Sequence, residues 1–277
     1  SFGDYVESSD GTVEYFEPAV LSSADPVTNN KQLALFAEHI TQDGGVIENI
    51  VKFPEGSKPE TTLVILKPFE DRSPLPGNII DMFSRTGLYI VGMKMLRLSI
   101  DQANEFYGPL VDIFREKLKP KPEKIAEKLR EGFKTTFSFE VPASVVSSHA
   151  EQLSEQLKDM NARHEFNKIV QYMTGVDPDK ASQADKSKPG TARCLAILYR
   201  GPDAILKIRN ILGPTNSKQG EPGKIRRIYD EDIMKNAAHA SDAVENAERE
   251  RKIIGLFDNK GRCELKELIE NYLHKCK

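Results

Sequence analysis

A short apolar run, TLVILKP at residues 62–68, is the clearest signal in the pattern of hydrophobic and polar positions along the chain. Aliphatic and β-branched residues in succession, ending at a proline, are typical of a buried strand. LYIVGMKMLRL at residues 88–98 alternates roughly and predicts a second strand, and TARCLAILYRG at residues 191–201 predicts a third. A final short strand is predicted before the last helix of this core.

Helical patterns lie between the predicted strands. PLPGNIIDMFSRTG at residues 74–87 predicts a helix that ends at Gly87, because glycine readily ends a helix. Ser99, followed closely by Asp101 and Gln102, predicts the start of the next helix, since serine caps free backbone N–H groups. That helix contains Phe106 and Tyr107.

Two further helices are predicted in the second half of the core, HEFNKIVQYMTG at residues 164–175 and PDAILKIRNILG at residues 202–213. Pro202 suits the first turn of the latter, where a missing N–H costs nothing. Asp242 and Glu245 have the spacing of a capping box for the helix that follows. The order of elements therefore fits an α+β, ferredoxin-like split βαβ fold, with a four-stranded antiparallel sheet and helices on one side.

The rest of the chain is predicted to consist of additions to that core. Residues 1–58 are predicted to be an N-terminal extension with a short strand in VEYFEPAV and a helix in TNNKQLALFAEHITQDGG, which ends at a Gly-Gly pair. Residues 59–257 are the predicted core domain, with insertions at about 118–161 and 177–189. Residues 258–277 end in a helix whose apolar face should dock on the domain or on a neighbouring subunit.

The insertion from Leu118 to about Asn161 differs from the core in composition. The stretch from Arg115 to Lys134 holds 8 basic and 4 acidic residues, a net charge of +4. Lysine and glutamate at such spacing are typical of a solvated helix face. The alternative is a basic lid over a nucleotide or over nucleic acid. A polar helix-like segment, SSHAEQLSEQLKDM, follows at residues 147–160.

Composition and charge limit the class of protein. A formal charge of −3 and a pI near 6 argue against a nucleic-acid binder, which normally has a basic excess. No apolar run approaches the length of a membrane span, and no secretory signal is visible, so a cytoplasmic location is expected. Cys194, Cys263 and Cys276 are too few and too widely spaced for a zinc site or a disulfide framework, and free thiols are expected.

Candidate anion-binding side chains are scattered along the chain, since no Walker A loop and no G-x-G-x-x-G motif after a strand occurs. Arginine offers a planar fork that matches phosphate, lysine a compact charge and threonine a hydroxyl donor. Side chains of these types that could together neutralise a polyphosphate are Lys67, Arg209, Thr215 and Arg226.

His239 lies among small residues in NAAHASD at residues 236–242, which leave room around its ring. A histidine can accept a phosphoryl group when one ring nitrogen is free and the other is held by a hydrogen bond. The helix beginning near Asp242 would direct free N–H groups toward a phosphate at His239, and Glu250 could return to orient the imidazole. Taken alone, a histidine in such a setting is more often a partly buried structural residue.

Several separated motifs then resemble one family. NAAHASD and the downstream ENAERE are similar to the N-x-x-H-x-S-D and S-A-E-x-E signatures of the nucleoside diphosphate kinases. The same family order is followed by TLVILKP, GNIIDMFSRTGLYIVGMKMLRLS, FY, IVQYMTG, LGPTN and PGKIR. The resemblance covers roughly residues 61–256 outside the insertions.

The resemblance implies a role for each matching residue. His239 would be the phosphohistidine nucleophile, Glu250 its orienting partner and Ser241 the serine beside it. The family's phosphate, ribose and transition-state contacts fall on Lys67, Tyr107, Arg209, Thr215, Arg226 and Asn236, and its other nucleotide positions on Glu165 and Ile169.

The resemblance also implies a ping-pong reaction between nucleoside triphosphates and diphosphates, with Mg²⁺ held through the nucleotide phosphates and no protein metal cage. Family members are usually homo-oligomers, which we expect here too.

This sequence departs from the family at several positions, and these departures leave an alternative function open. Glu165 stands where the family has a phenylalanine that stacks on the base, with Phe166 one position on. The family's I-R-G-D-F appears as IRRIY at residues 225–229, and Ala240 replaces a glycine, so its methyl could crowd the phosphate or stiffen the turn. The alternative is a catalytically weak nucleotide-binding or scaffold protein with the same fold. We do not expect nucleic-acid binding through the lysine-rich insertion, because the chain as a whole has a net negative charge.

Overall fold

The computed structural model describes residues 3–18, 20–40, 46, 51–69, 75–230, 235–256 and 264–276. The chain divides into two compact units, one made of residues 1–43 and 260–277 and the other of residues 44–259. Cys263 and the Gly44–Gly45 pair, singled out in the sequence, lie outside the described residues.

The strands and helices of the described residues follow in chain order. The strands are β1 (Gly3–Glu7), β2 (Val13–Pro18), β3 (Pro59–Leu66), β4 (Tyr89–Leu96), β5 (Cys194–Pro202) and β6 (Ala238–Ala240). The helices are α1 (Pro26–His39), α2 (Leu75–Ser84), α3 (Ile100–Tyr107), α4 (Leu110–Lys117), α5 (Pro122–Thr136), α6 (Ala143–Thr174), α7 (Ala204–Leu212), α8 (Ile225–Tyr229), α9 (Val244–Ile253) and α10 (Glu264–Lys275).

A four-stranded antiparallel sheet forms the centre of the larger unit, in the order β4-β5-β3-β6. This order, with the first core strand between the third and the fourth, is that of the ferredoxin-like split βαβ fold, so the predicted fold class is confirmed. The predicted short final strand is β6, which pairs with β3 so that Ile65 lies opposite His239.

Both faces of the sheet are covered, which corrects the expectation of helices on one side. On one face Leu63 and Ile65 pack with Phe106 of α3 and Phe166 of α6. On the other face the alternate residue Val64 packs with residues of α2 and α7. Because successive strand residues point to opposite faces, an uninterrupted apolar run such as that in β3 requires cover on both sides.

Helix α6 is a single helix of 32 residues, although the sequence pattern suggested a polar helix and a separate core helix. Its first half lies in the predicted insertion and its second half, including Phe166, lies in the core. Gly175 ends it with a φ of 71°, a left-handed conformation that glycine adopts without strain. The helix therefore connects the insertion directly to the core.

Three predicted helix starts can be compared with the structure. The capping box at the start of α3 is present, with Ser99 and Gln102 bonded to each other's backbone N–H groups. The capping box of Asp242 and Glu245 is wrong, because Asp242 instead accepts a hydrogen bond from the Asn246 side chain. Pro202 is also not a first-turn proline, since it is the last residue of β5.

The residues predicted to be an insertion form a hairpin of α5 and the first half of α6. It has a small core in which Ala126 packs against Val146 and Ala150. At its base the Asn161 side chain donates a hydrogen bond of 2.6 Å to the Leu118 carbonyl, so the two ends of the segment lie side by side. We refer to residues 119–160 as the inserted hairpin.

The smaller unit contains the β1–β2 antiparallel pair and the helices α1 and α10. Helix α1 begins at an Asp25 cap, which accepts hydrogen bonds from Val27 and Thr28. Among the described apolar residues of α1, only Ala37 is buried. The predicted domain boundaries at residues 58 and 257 stay a prediction. Across the described part of the chain, no helix is both long and apolar enough to cross a membrane.

Candidate active site

His239 lies at the centre of β6, between two buried alanines. Ala240 packs in the apolar cluster behind the sheet, so its methyl group is accounted for by core packing. The His239 side chain is 22% exposed, enough for a ligand to reach it. The rings of Phe106 and Tyr107 at the end of α3 meet the imidazole edge to face, with centroids 5.0 and 6.0 Å away. These two rings limit how far the imidazole can turn.

Glu250 of α9 is the partner that fixes the imidazole. Its Oε2 atom accepts hydrogen bonds from His239 Nε2 at 2.9 Å and from Ser241 Oγ at 2.6 Å. An ionised carboxylate only accepts, so the proton of a neutral imidazole lies on Nε2. Among the described residues Nδ1 has no hydrogen-bond partner, which leaves its lone pair available.

Ser241 links this carboxylate to the sheet. Its backbone N–H donates to the Leu63 carbonyl of β3 at 3.0 Å, and its hydroxyl is fully buried beside Glu250. The Glu250 side chain is itself only 6% exposed. A buried carboxylate needs such donors, because water cannot replace them.

Arg226 of α8 reaches the backbone beside His239. Its guanidinium donates to the Ala238 carbonyl at 3.0 Å and to the Gly213 carbonyl at 3.1 Å, with Thr215 Oγ1 at 3.5 Å. Burial lowers the pKa of Arg226, the nearby Asp230 opposes that shift, and the positive charge of Arg209 adds to it. Arg226, Arg209 and exposed Thr215 therefore form a cationic group next to the nucleophile candidate.

Asp230 compensates for an acidic residue that the sequence motif lacks. IRRIY lacks the acidic residue of the family's I-R-G-D-F. Asp230 lies one helical turn after Arg226, and its Oδ1 atom accepts a hydrogen bond of 2.9 Å from the Ala237 N–H. Asp230 thus both offsets the charge of Arg226 and holds the segment that leads into β6.

Lys67 directly follows β3, and Asn236 lies two residues before β6, so both are next to the paired ends of these strands. The Lys67 N–H donates to the Ala237 carbonyl at 3.1 Å, which extends the β3–β6 pairing by one bond. Its ammonium group lies 5.9 Å from the centroid of the Tyr172 ring of α6. Asn236, adjacent to Ala237, is only 4% exposed.

Tyr107 is buried beside His239 and stays a neutral phenol. Burial raises the pKa of the Tyr107 hydroxyl well above its usual value, and the charge of Glu250 adds to the effect. Among the described residues its hydroxyl has no hydrogen-bond partner. The hydroxyl therefore keeps its proton and has one hydrogen bond left to donate.

Arg209 of α7 lines an open cleft of about 770 Å³ together with Lys224 and Asp242. A hydrogen bond from Asn246 lowers the pKa of Asp242, and the charges of Arg209 and His239 lower it further. The cleft thus combines fixed charges of both signs at the edge of the site.

Glu165 and Ile169 lie on one face of α6, at positions that a helix brings together with Tyr172. The Glu165 carboxylate pairs with Lys168 one turn along, at 2.5 Å. Phe166, the nearest aromatic residue in the chain, is 1% exposed in the core and has no face left for a base. This face of α6 therefore presents an ion pair, an aliphatic residue and, next to Lys67, the ring of Tyr172.

Two residues near the site were missed by the sequence analysis, Asp230 and Arg249. Arg249 precedes Glu250 and donates to carbonyl groups of α3. Asp230 directly follows IRRIY, and Arg249 occupies the unspecified position of the S-A-E-x-E signature in ENAERE, so no motif marked either residue. No group of three or more histidine, cysteine or carboxylate residues suited to a metal ion was found in the part of the chain that the structure describes.

Comparison with known proteins gives a consistent result. The family model described as nucleoside diphosphate kinase matches residues 60–116 and 121–260. The chain is 27% identical over 195 residues to the nucleoside diphosphate kinase of Staphylothermus marinus, covering 70% of this chain and 92% of that protein. It is 29% identical over 191 residues to that of Legionella pneumophila, covering 69% and 89%.

Solved structures with the same description are also similar. One is an Aquifex aeolicus nucleoside diphosphate kinase, with 26% identity, a TM-score of 0.43, and coverage of 71% of this chain and 95% of that chain.

Proposed function

The chain belongs to the nucleoside diphosphate kinase family, and from that premise we propose that it transfers the γ-phosphoryl group of a nucleoside triphosphate to a nucleoside diphosphate through His239. The observation that carries this proposal is the 2.9 Å hydrogen bond between His239 Nε2 and Glu250 Oε2. It orients the imidazole, assigns its proton to Nε2 and leaves Nδ1 as the nucleophile.

In the first half-reaction, the Nδ1 lone pair forms a bond to the γ-phosphorus. The bond between that phosphorus and the oxygen bridging to the β-phosphate breaks, and the departing diphosphate keeps the electron pair. The imidazole ring becomes positively charged as it gains the phosphoryl group, and the ionised Glu250 stabilises that charge at Nε2. Ser241 fixes the same carboxylate oxygen and so keeps the ring aligned.

The cations of the site stabilise the charge on the transferring phosphoryl oxygens. Arg226 is held by the Ala238 and Gly213 carbonyls, so its position is set before the nucleotide arrives. Lys67 and Arg209 would bind the remaining phosphates, with Thr215, Asn236 and Tyr107 as hydrogen-bond donors. Such preorganised charge supplies most of the rate in phosphoryl transfer.

In the second half-reaction, a terminal oxygen of an incoming nucleoside diphosphate attacks the phosphorus on Nδ1. The P–N bond breaks, its electrons return to the imidazole, and His239 is regenerated. One cleft accepts both nucleotides in turn, so the kinetics are expected to be ping-pong.

Mg²⁺ is the proposed cofactor and would enter on the nucleotide. Its preference for phosphate and water oxygens over an all-protein site supports binding through the phosphate chain. When bound there it offsets phosphate charge, and the residues above act on the oxygens that it leaves open.

Base recognition is proposed to be weak in this chain. Glu165 and Ile169 would lie along the nucleotide, but Phe166, the aromatic residue beside Glu165, is in the core and cannot stack on the base. Binding would then depend on phosphate and ribose contacts, which all nucleoside triphosphates share. We also propose a homo-oligomer in the cytoplasm, to be tested by light scattering of the purified protein and by fractionation of cells.

The proposal is tested by incubating the protein with γ-labelled ATP and Mg²⁺, then adding unlabelled GDP. We expect acid-labile, base-stable label on the protein and its transfer to GTP. His239→Ala should abolish labelling, a loss of more than about 10⁴-fold in rate. His149→Ala is the matched control, because His149 is an exposed histidine of the inserted hairpin.

Two results would contradict the proposal. Labelling that survives in His239→Ala would mean that another residue accepts the phosphoryl group. ATP binding without any label on the native protein would instead favour the nucleotide-binding or scaffold function.

A further inference from the structure

Arg249 joins the elements that surround His239, although it occupies the unspecified position of the S-A-E-x-E signature in ENAERE. Its Nη1 atom donates to the Glu105 carbonyl at 3.1 Å and its Nη2 atom to the Phe106 carbonyl at 3.2 Å. Nη2 also lies 3.5 Å from Glu250 Oε1, the carboxylate oxygen that His239 does not use. One planar guanidinium thus contacts α3 and α9 at once.

The physical chemistry of α3 explains why an arginine suits this position. Glu105 and Phe106 are in the last turn of α3, where carbonyl groups lack partners within the helix. The end of a helix also carries a partial negative charge that favours a cation. Arginine can satisfy two carbonyls and still approach a carboxylate, because its donors form a fixed fork.

The same contacts control the surroundings of the imidazole. Phe106 and Tyr107, which follow the carbonyls bound by Arg249, contact the His239 ring on one side. Glu250 holds the ring from the other side. Arg249 therefore links the end of α3 to Glu250, and both of these contact the His239 ring.

We propose that Arg249 is a positioning residue for phosphoryl transfer by His239, acting on the imidazole through Glu250 and through the end of α3. This inference rests on the proposed function. Arg249 itself contacts none of Lys67, Arg209 and Arg226 in the described structure, so it should affect the rate of transfer and leave nucleotide affinity unchanged.

The test compares Arg249→Ala, Arg249→Lys and Lys252→Ala in single-turnover labelling by γ-labelled ATP. Lys252 is the control, because it is an exposed cation of the same helix. We expect Arg249→Ala to slow labelling about tenfold, the effect of one lost hydrogen bond to a charged group, with the dissociation constant of ATP unchanged. Arg249→Lys should recover part of the rate, since an ammonium can replace one contact but not the fork. Millimolar guanidinium should accelerate the alanine variant and leave Lys252→Ala unchanged.

A second measurement does not depend on activity. In ¹⁵N spectra of histidine-labelled protein, His239 should be the Nε2–H tautomer in the native chain and a mixture of tautomers in Arg249→Ala. Labelling as fast as the native rate in Arg249→Ala, with an unchanged tautomer, would overturn the inference. So would slow labelling that neither lysine nor guanidinium improves, because that outcome indicates a structural role only. If the native chain itself takes no label, the proposed function fails, and the tautomer spectra still decide the role of Arg249.

Discussion

The site around His239 and the inserted hairpin each hold a carboxylate among side-chain hydrogen-bond donors, yet the two regions bury that carboxylate differently. The Glu250 side chain is 6% exposed and accepts hydrogen bonds from His239, Ser241 and Arg249. The Glu155 side chain in the hairpin is 53% exposed and pairs with Lys119 and Lys158. Water can replace a lost partner only at Glu155.

Because of this difference in burial, we expect mutations around Glu250 to have larger effects than mutations around Glu155. Around Glu250 each removed donor leaves a buried charge undercompensated, and the displacement is passed to His239. Around Glu155 a removed lysine is replaced by solvent, and exposed pairs contribute little. The same residue types are therefore expected to control catalysis in one region and to have almost no effect in the other.

The largest contrast is expected between two arginines. Arg226→Ala removes a preorganised cation beside the phosphoryl group and should lower kcat by about 10²–10³-fold. Arg130→Ala removes an exposed arginine of the hairpin and should leave kcat unchanged. Steady-state phosphotransfer from ATP to GDP measures both. A similar loss in the two variants would mean that the hairpin takes part in the reaction, as a basic lid would.

A second contrast compares two buried serines. Ser241→Ala removes one donor from Glu250 and should slow labelling of His239 about tenfold. Ser154→Ala removes a 2.6 Å hydrogen bond to the Pro120 carbonyl inside the hairpin, so stability should fall by about 1 kcal/mol while the labelling rate stays native. Labelling kinetics and thermal unfolding are measured on both. Ser241→Thr keeps the hydroxyl and controls for its chemistry.

Removing the inserted hairpin tests whether the site around His239 depends on it. Because Asn161 bonds to the Leu118 carbonyl, a short linker can replace residues 119–160 without moving either end. We expect the shortened chain to label His239 at the native rate, since none of the contacts described around His239 comes from the hairpin. Normal folding with lost labelling would contradict this separation of the two regions.

The smallest effect is expected at Glu155. Hydrogen bonds from Lys119 and Lys158 lower the pKa of Glu155 from 4.5 to about 2. A lowered folded-state pKa stabilises the protein above pH 4.5, and this contribution is lost as the pH falls toward 2. Glu155→Gln should therefore lower Tm slightly at pH 6, and the difference from the native chain should vanish near pH 2. If the difference in Tm between Glu155→Gln and the native chain grew as the pH fell, the ionised Glu155 would not be stabilising.

The sequence by itself determined the elements whose signals are local. The apolar run of β3, the alternation in β4 and the Ser99 cap each depend on neighbouring residues, and each was found where the pattern predicted it. Two predictions from local signals were wrong. Asp242 does not cap α9, because its carboxylate accepts a hydrogen bond from the Asn246 side chain. The change of polarity between residues 147–160 and 164–175 suggested two helices, whereas α6 is one continuous helix.

The candidate residues could be named in advance because the resemblance supplied His239 and Glu250 together. Their geometry could not. The 2.9 Å bond between them, the reach of Arg226 to the Ala238 carbonyl and the contact of Arg249 with α3 each join separate segments of the chain. Such contacts exist only once β6 has paired with β3 and α9 has packed beside α3. Sequence patterns record the periodicity of each element, whereas the distances between elements are decided by how their buried faces pack.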